Sequence, residues 1–120
     1  MKKILIVDDE PNIVMTLEYT FKKSNYEVFI ARDGQEALDI LKTNFPDVII
    51  LDIMMPMVDG FATLEQIRKD ANLQHTKVMF LSAKNKESDI EKGLALGADA
   101  YMTKPFSIKK VVEKVEELLL

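Results

Sequence analysis

Apolar residues in this chain follow two alternating periods. Short unbroken runs of aliphatic and β-branched residues are separated by stretches in which apolar positions recur every three or four. Lys3–Val7 (KILIV) is the first run, and with no polar alternate it predicts a strand buried on both faces. Ile13, Val14, Leu17 and Phe21 then fall at helical spacing. They predict a first helix over 11–23, opened by Pro11, with Asp9 or Glu10 serving its free amides and Ser24-Asn25 ending it. A second strand, Glu27–Ala31 (EVFIA), is followed by an Asp33-Gly34 turn. Ala37, Leu38 and Leu41 then line a second helix that Asn44 closes. Pro46 leads into a third strand, Asp47–Leu51 (DVIIL), with Asp52 at its end. Pro56, Asp59 and Gly60 mark a loop, Asp59-Gly60 reading as a turn and cap, and Phe61, Leu64, Ile67 and Ala71 line a third helix. Lys77–Leu81 (KVMFL) is a fourth strand capped by Ser82. A fourth helix over Ser88–Leu96 turns Ile90, Leu94 and Ala95 inward and ends at Gly97. A short fifth strand, Ala100–Met102, leads to Lys104-Pro105. Ser107 caps a fifth helix that finishes in Leu118–Leu120.

Five strands alternating with five helices over short connections predict a parallel sheet covered on both faces, with right-handed crossovers. The fold class expected is α/β: a doubly wound three-layer sandwich. The strand order 2-1-3-4-5 is taken by analogy, because periodicity does not reveal order. There is no repeat, linker or low-complexity tract, so residues 1–120 read as a single domain.

Composition removes several classes of function. Hydrophobic residues make up 48% and charged residues 30%, the balance of an ordinary soluble protein. The 16 Lys and Arg against 20 Asp and Glu leave a net charge of -4, which supports neither a general nucleic-acid binder nor an anionic-membrane binder. The absence of cysteine excludes disulfides and thiolate chemistry. The one histidine, His75, cannot build a multi-histidine metal site and reads as a solvated loop residue. No apolar run approaches the roughly 20 residues that span a bilayer, and none reads as a secretory signal. A cytoplasmic protein is the expectation.

In doubly wound sheets ligands bind outside the C-terminal strand ends. Asp8 and Asp9 end the first strand, Asp52 the third and Ser82 the fourth, and Lys104 follows the fifth. Neighbouring first and third strands would bring three carboxylates within a few ångströms, where mutual repulsion raises their pKa values unless a cation intervenes. An all-oxygen donor set suits a hard ion such as Mg²⁺. Lys104 adds a compact cation and Ser82 a hydroxyl, so the group is suited to receiving a doubly charged phosphoryl group on one carboxylate. Asp52, alone at its strand end, is the expected nucleophile.

The acidic pair in ILIVDDEP, the central LDIMMPMVDG, ARDGQEAL, and the terminal LSA and GADAYMTKPF together resemble a bacterial two-component response-regulator receiver domain. The resemblance runs over nearly the whole chain and implies a flavodoxin-like fold. It implies that Asp52 is the phosphoacceptor, that Asp8, Asp9 and the backbone carbonyl of Met54 help bind Mg²⁺, and that Ser82 and Lys104 contact the phosphoryl group. The donor would be a sensor histidine kinase or a histidine phosphotransfer protein, and many family members also accept small phosphodonors. Ser82 and Tyr101 would act as the switch, changing the surface of the fourth helix, fifth strand and fifth helix toward a downstream protein or output domain. Lys104-Pro105 resembles the family's cis peptide. Met54, Ala83 and Lys84 would tune the rate, Met54 offering no polar atom to orient attacking water. Ala100 departs from the family's frequent second aspartate, which leaves a monomer or a weak phosphorylation-dependent dimer. Specificity toward a kinase would lie on the first helix and the loop after the fifth strand, at residues such as Asn12, Met15 and Phe106.

Other functions fit this frame poorly. DDEPN after the first strand would repel a flavin phosphate, and GxxxxGK[ST] is absent. An aspartyl-nucleophile phosphatase would want a second carboxylate two residues after Asp52, where Met54 stands. The chain is therefore expected to be a signalling domain rather than an enzyme acting on a separate substrate. The alternative is a receiver-shaped interaction module that binds partners independently of phosphorylation.

Overall fold

The structure, a computed structural model, describes residues 1–120. Five parallel strands, β1 (Lys3–Val7), β2 (Glu27–Ala31), β3 (Val48–Leu51), β4 (Lys77–Ser82) and β5 (Ala100–Thr103), form one sheet in the order β2-β1-β3-β4-β5. The helices are α1 (Pro11–Lys23), α2 (Gly34–Ile40), α3 (Gly60–Lys69), α4 (Glu87–Ala95) and α5 (Ile108–Leu118). The strand order taken by analogy is the observed one.

Alternation along the central strands feeds two separate cores. Leu5, Val7, Ile49, Leu51, Val78 and Phe80 face Ala37, Phe61, Leu64 and Ile67 from α2 and α3. Ile4, Ile6, Ile50, Met79 and Leu81 face Leu17 and Phe21 of α1 and Val111 and Val115 of α5. Both faces are covered, which is why these strands carry no polar alternate. Truncating one such buried Leu or Phe to Ala costs about 2–5 kcal/mol.

Caps set the helix starts. Asp33, Asp59 and Ser107 accept side-chain hydrogen bonds from the amides of Glu36, Ala62 and Lys110. Gly97 takes a φ of +108° directly after α4 and its C-cap Leu96, a conformation that favours glycine.

Several expected details are corrected. α2 stops at Ile40, and Asn44 closes the following turn by donating its Nδ2 to the Ile40 carbonyl. α3 stops at Lys69 because Asp70 is extended and caps a 3₁₀ turn, Ala71–Leu73, which buries Leu73 and leaves Ala71 exposed. On α4, Leu94 is 46% exposed and Ala95 is exposed too, while Gly93 is the buried residue. A Cβ at Gly93 would press on the rings of Phe80 and Tyr101, so the helix approaches the sheet through the position with no side chain.

The N-terminal end of the sheet is tied by Arg68. Its Nε donates to the Gly97 carbonyl (3.0 Å), Nη1 to Thr76 (2.9 Å) and Nη2 to the Asp99 carboxylate (3.0 Å). That carboxylate also accepts the Val78 amide at 2.8 Å. One guanidinium thus joins α3 to the starts of β4 and β5.

Candidate functional site

At the opposite end, the ladder carries three site residues past the strands. The amide of Asp8 donates to Ala31, that of Asp52 to Val7 and that of Lys104 to Ser82, at 3.1, 2.9 and 2.8 Å. Val7 pairs with Leu51, so the two aspartates emerge side by side. Asp8, Asp52 and Ser82 are all buried.

Lys104 reaches into this group with its side chain only 10% exposed. Its ammonium lies 3.0 Å from Asp8 Oδ2, 2.9 Å from Glu10 Oε1 and 3.6 Å from Asp52 Oδ2. Asp8 Oδ1 accepts the Glu10 amide, and Asp52 Oδ1 accepts the Ile53 amide at 2.8 Å. Burial pushes both aspartates above the usual carboxylate range. The charge of Asp8 adds to the rise at Asp52, and Lys104 opposes it at both. Burial alone would lower the Lys104 pKa, but its hydrogen bonds to Glu10 and Asp8 outweigh that and hold it above the ordinary lysine value.

Carboxylate oxygens of Asp8, Glu10 and Asp52 lie within 4.8 Å of one another. Glu10, which the sequence reading left to the start of α1, thus joins Asp8 and Asp52 in this group. Asp9 is exposed and lines an open cleft of about 610 Å³ with Met54, Asp59, Phe61, Lys84 and Lys92. The donor set still fits a hard divalent cation: every ligand atom is oxygen, and three carboxylates face a single ammonium.

Ser82 and Tyr101 meet through the backbone of one residue, Lys84. Ser82 Oγ accepts the Lys84 amide at 3.2 Å, and the Tyr101 hydroxyl donates to the Lys84 carbonyl at 2.7 Å. The Tyr101 ring packs on Phe80 with centroids 5.7 Å apart, and burial raises its hydroxyl pKa, the charge of Asp89 adding to the rise. Ala83 is exposed beside Lys104 and Phe106 in a second open cleft. Lys104-Pro105 is cis.

Gly60 fixes the loop behind Asp52. Its amide donates to the Ile53 carbonyl at 2.9 Å, and a Cβ there would collide with the Asp52 carbonyl and the Ile53 backbone. Met54, in that loop, is 58% exposed.

Sequence reasoning missed Glu10. It reads as a helix N-cap, yet its side chain makes no capping bond and turns to Lys104, 94 residues away in sequence.

A family model described as the response regulator receiver domain matches residues 4–116. The protein belongs to that family and is a receiver domain of the two-component response regulators. Among similar proteins, the alkaline phosphatase synthesis transcriptional regulatory protein PhoP of Bacillus subtilis (strain 168) is 46% identical over 118 residues, 98% of this chain and 48% of that protein. The chain thus spans about half the length of this curated relative. The receiver domain of the Francisella response regulator 1452 superposes with a TM-score of 0.91 at 37% identity, covering 99% of this chain and 97% of that one. The chemotaxis response regulator CheY4 of Vibrio cholerae superposes at 0.93 with 31% identity, covering 99% of both chains. No helix is long and apolar enough to cross a membrane.

Proposed function

We propose that this receiver domain is a phosphorylation-activated switch that accepts a phosphoryl group on Asp52 and resets by hydrolysis. The observation that carries the reading is one buried carboxylate, Asp52, flanked by Asp8 on the next strand and by the Lys104 ammonium at 3.6 Å. Asp52 attacks the donor phosphorus through a carboxylate oxygen, and the leaving group departs on the far side. Lys104 moves from its carboxylate partners to a phosphoryl oxygen, and Ser82 turns its hydroxyl to another. Asp8, Asp9, Asp52 and the Met54 carbonyl would hold Mg²⁺, with Glu10 at the edge of the group. When bound, the ion neutralises the carboxylates and stabilises charge on the transferring group.

Movement of Ser82 reaches Tyr101 through the backbone of Lys84, whose amide bonds one and whose carbonyl bonds the other, which links Asp52 to the α4-β5-α5 surface. Leu94 of α4, 46% exposed, offers one apolar contact on that surface to a downstream protein or output domain. The phosphoryl donor is a sensor histidine kinase or a histidine phosphotransfer protein. Met54, Ala83 and Lys84, around the two clefts, set how easily water reaches the product.

Intact-mass spectrometry after incubation with a small phosphodonor tests the reading. The expected result is one phosphoryl group gained only with Mg²⁺ and lost in Asp52→Asn. A folded, Mg²⁺-binding protein that gains none from a small donor or from phosphorylated kinase would instead be a module working independently of phosphorylation.

A further inference from the structure

Lys104 is held where it is not needed for transfer. Its ammonium touches Glu10 at 2.9 Å and Asp8 at 3.0 Å, yet stands 3.6 Å from Asp52. Glu10 is free for this contact because its side chain makes no capping bond at the helix that it heads. The two ends of the contact also differ. The Lys104 side chain is 10% exposed, whereas that of Glu10 is 57% exposed and lies on the wall of the cleft formed with Ile13, Ala83, Pro105 and Phe106.

We infer that Glu10 is a positioning residue that holds the Lys104 ammonium on the Asp8 side of the site, and that phosphoryl transfer to Asp52 requires this contact to open. The inference rests on the proposed transfer to Asp52. Asp8 is fixed, since it is buried and tied to the Glu10 amide, so the exposed carboxylate is the partner that can leave. The contact therefore acts as a brake on the reaction, and its position in an open cleft exposes the brake to whatever docks there.

The test compares wild type with Glu10→Gln and Glu10→Asp, each at Mg²⁺ saturating for that variant, so that altered metal affinity does not enter. The rate read is phosphoryl gain from a small donor, followed by quenching and intact mass. Gln keeps the shape and loses the charge; Asp keeps the charge but is one methylene too short to hold the ammonium. Both variants are expected to react about fivefold faster than wild type, the size of one solvent-exposed ion pair. Neither removes a capping bond, and unchanged thermal midpoints check folding.

Unchanged or slower rates in both variants overturn the inference. A faster Gln variant beside an Asp variant at the wild-type rate also overturns it, because the effect would then belong to net charge and not to the contact. A wild type that gains no phosphoryl group overturns the switch reading itself and takes this inference with it. Phosphorylated wild type with indifferent variants overturns this inference alone.

Discussion

Charged side chains are drawn below the surface at both ends of this sheet, and the two ends are built in opposite ways. At the N-terminal end, the Arg68 guanidinium meets one carboxylate, Asp99, and the carbonyls of Gly97 and Thr76, with the pair 20% and 30% exposed. Its donors are matched to acceptors in fixed directions, which is what a planar fork does well. At the C-terminal end, three carboxylates share one ammonium, and burial lifts both inner aspartates above their ordinary range. One network is balanced and ties elements together; the other carries excess negative charge whose relief needs a cation. The same sheet therefore places structure at one end and unsatisfied chemistry at the other.

Removing charge should separate the two ends most clearly. Arg68→Ala is expected to lower unfolding free energy by about 2–3 kcal/mol in urea titration, because it strands the Asp99 carboxylate and several part-buried carbonyls. A loss below a few tenths would mean that the N-terminal network is ornamental and would break the comparison.

An identical isosteric change should then give opposite signs. Asp99→Asn is expected to cost about 1–2 kcal/mol, since the pair with Arg68 loses its charge. Asp52→Asn should stabilise the metal-free protein by about 1 kcal/mol, because it removes a buried charge that repels Asp8. Equal losses in both variants would show the site to be as satisfied as the brace.

The smallest effect sharpens the contrast further. At twofold excess over its dissociation constant, Mg²⁺ should add about 0.65 kcal/mol, read as a rise in thermal midpoint. Asp99→Asn should keep that increment and Asp52→Asn should lose most of it. An increment retained in Asp52→Asn would place the ion elsewhere.

Much of this architecture was legible in the sequence, for reasons that also mark where reading fails. The bounds of β1, β2 and α1 follow from unbroken apolar runs and from Pro11, which leave little freedom. Asp59 and Ser107 were readable as caps because they are short polar residues heading apolar-periodic stretches. The inward face of α4 was misread because hydrophobic periodicity gives weight to Leu94 and none to glycine. The close approach is made at Gly93, against two rings contributed by other elements. Ala71 was misread because one extended residue, Asp70, breaks the helix without glycine or proline to announce it.

At the site, the strand-end positions of Asp8, Asp52, Ser82 and Lys104 followed from topology alone. Which of three consecutive acidic residues turns inward did not. Side-chain direction just past a strand end is set by local hydrogen bonds, here the Glu10 amide on Asp8, and by a lysine that arrives from the far end of the chain.

The loop after Asp52 has a consequence for how the timing of such a protein can change. Ile53 accepts both the Met55 and the Gly60 amide, so the residues between hang from a single carbonyl, and Gly60 locks that carbonyl against the strand. Met54 and Met57 project outward from this closed ring. The ring behaves as an interchangeable fitting on a rigid mount: its rim can be exchanged while the Asp52 carboxylate keeps its place. With Asp52 as the acceptor proposed above, how long a signal lasts and where it is received are separate variables in the same dozen residues.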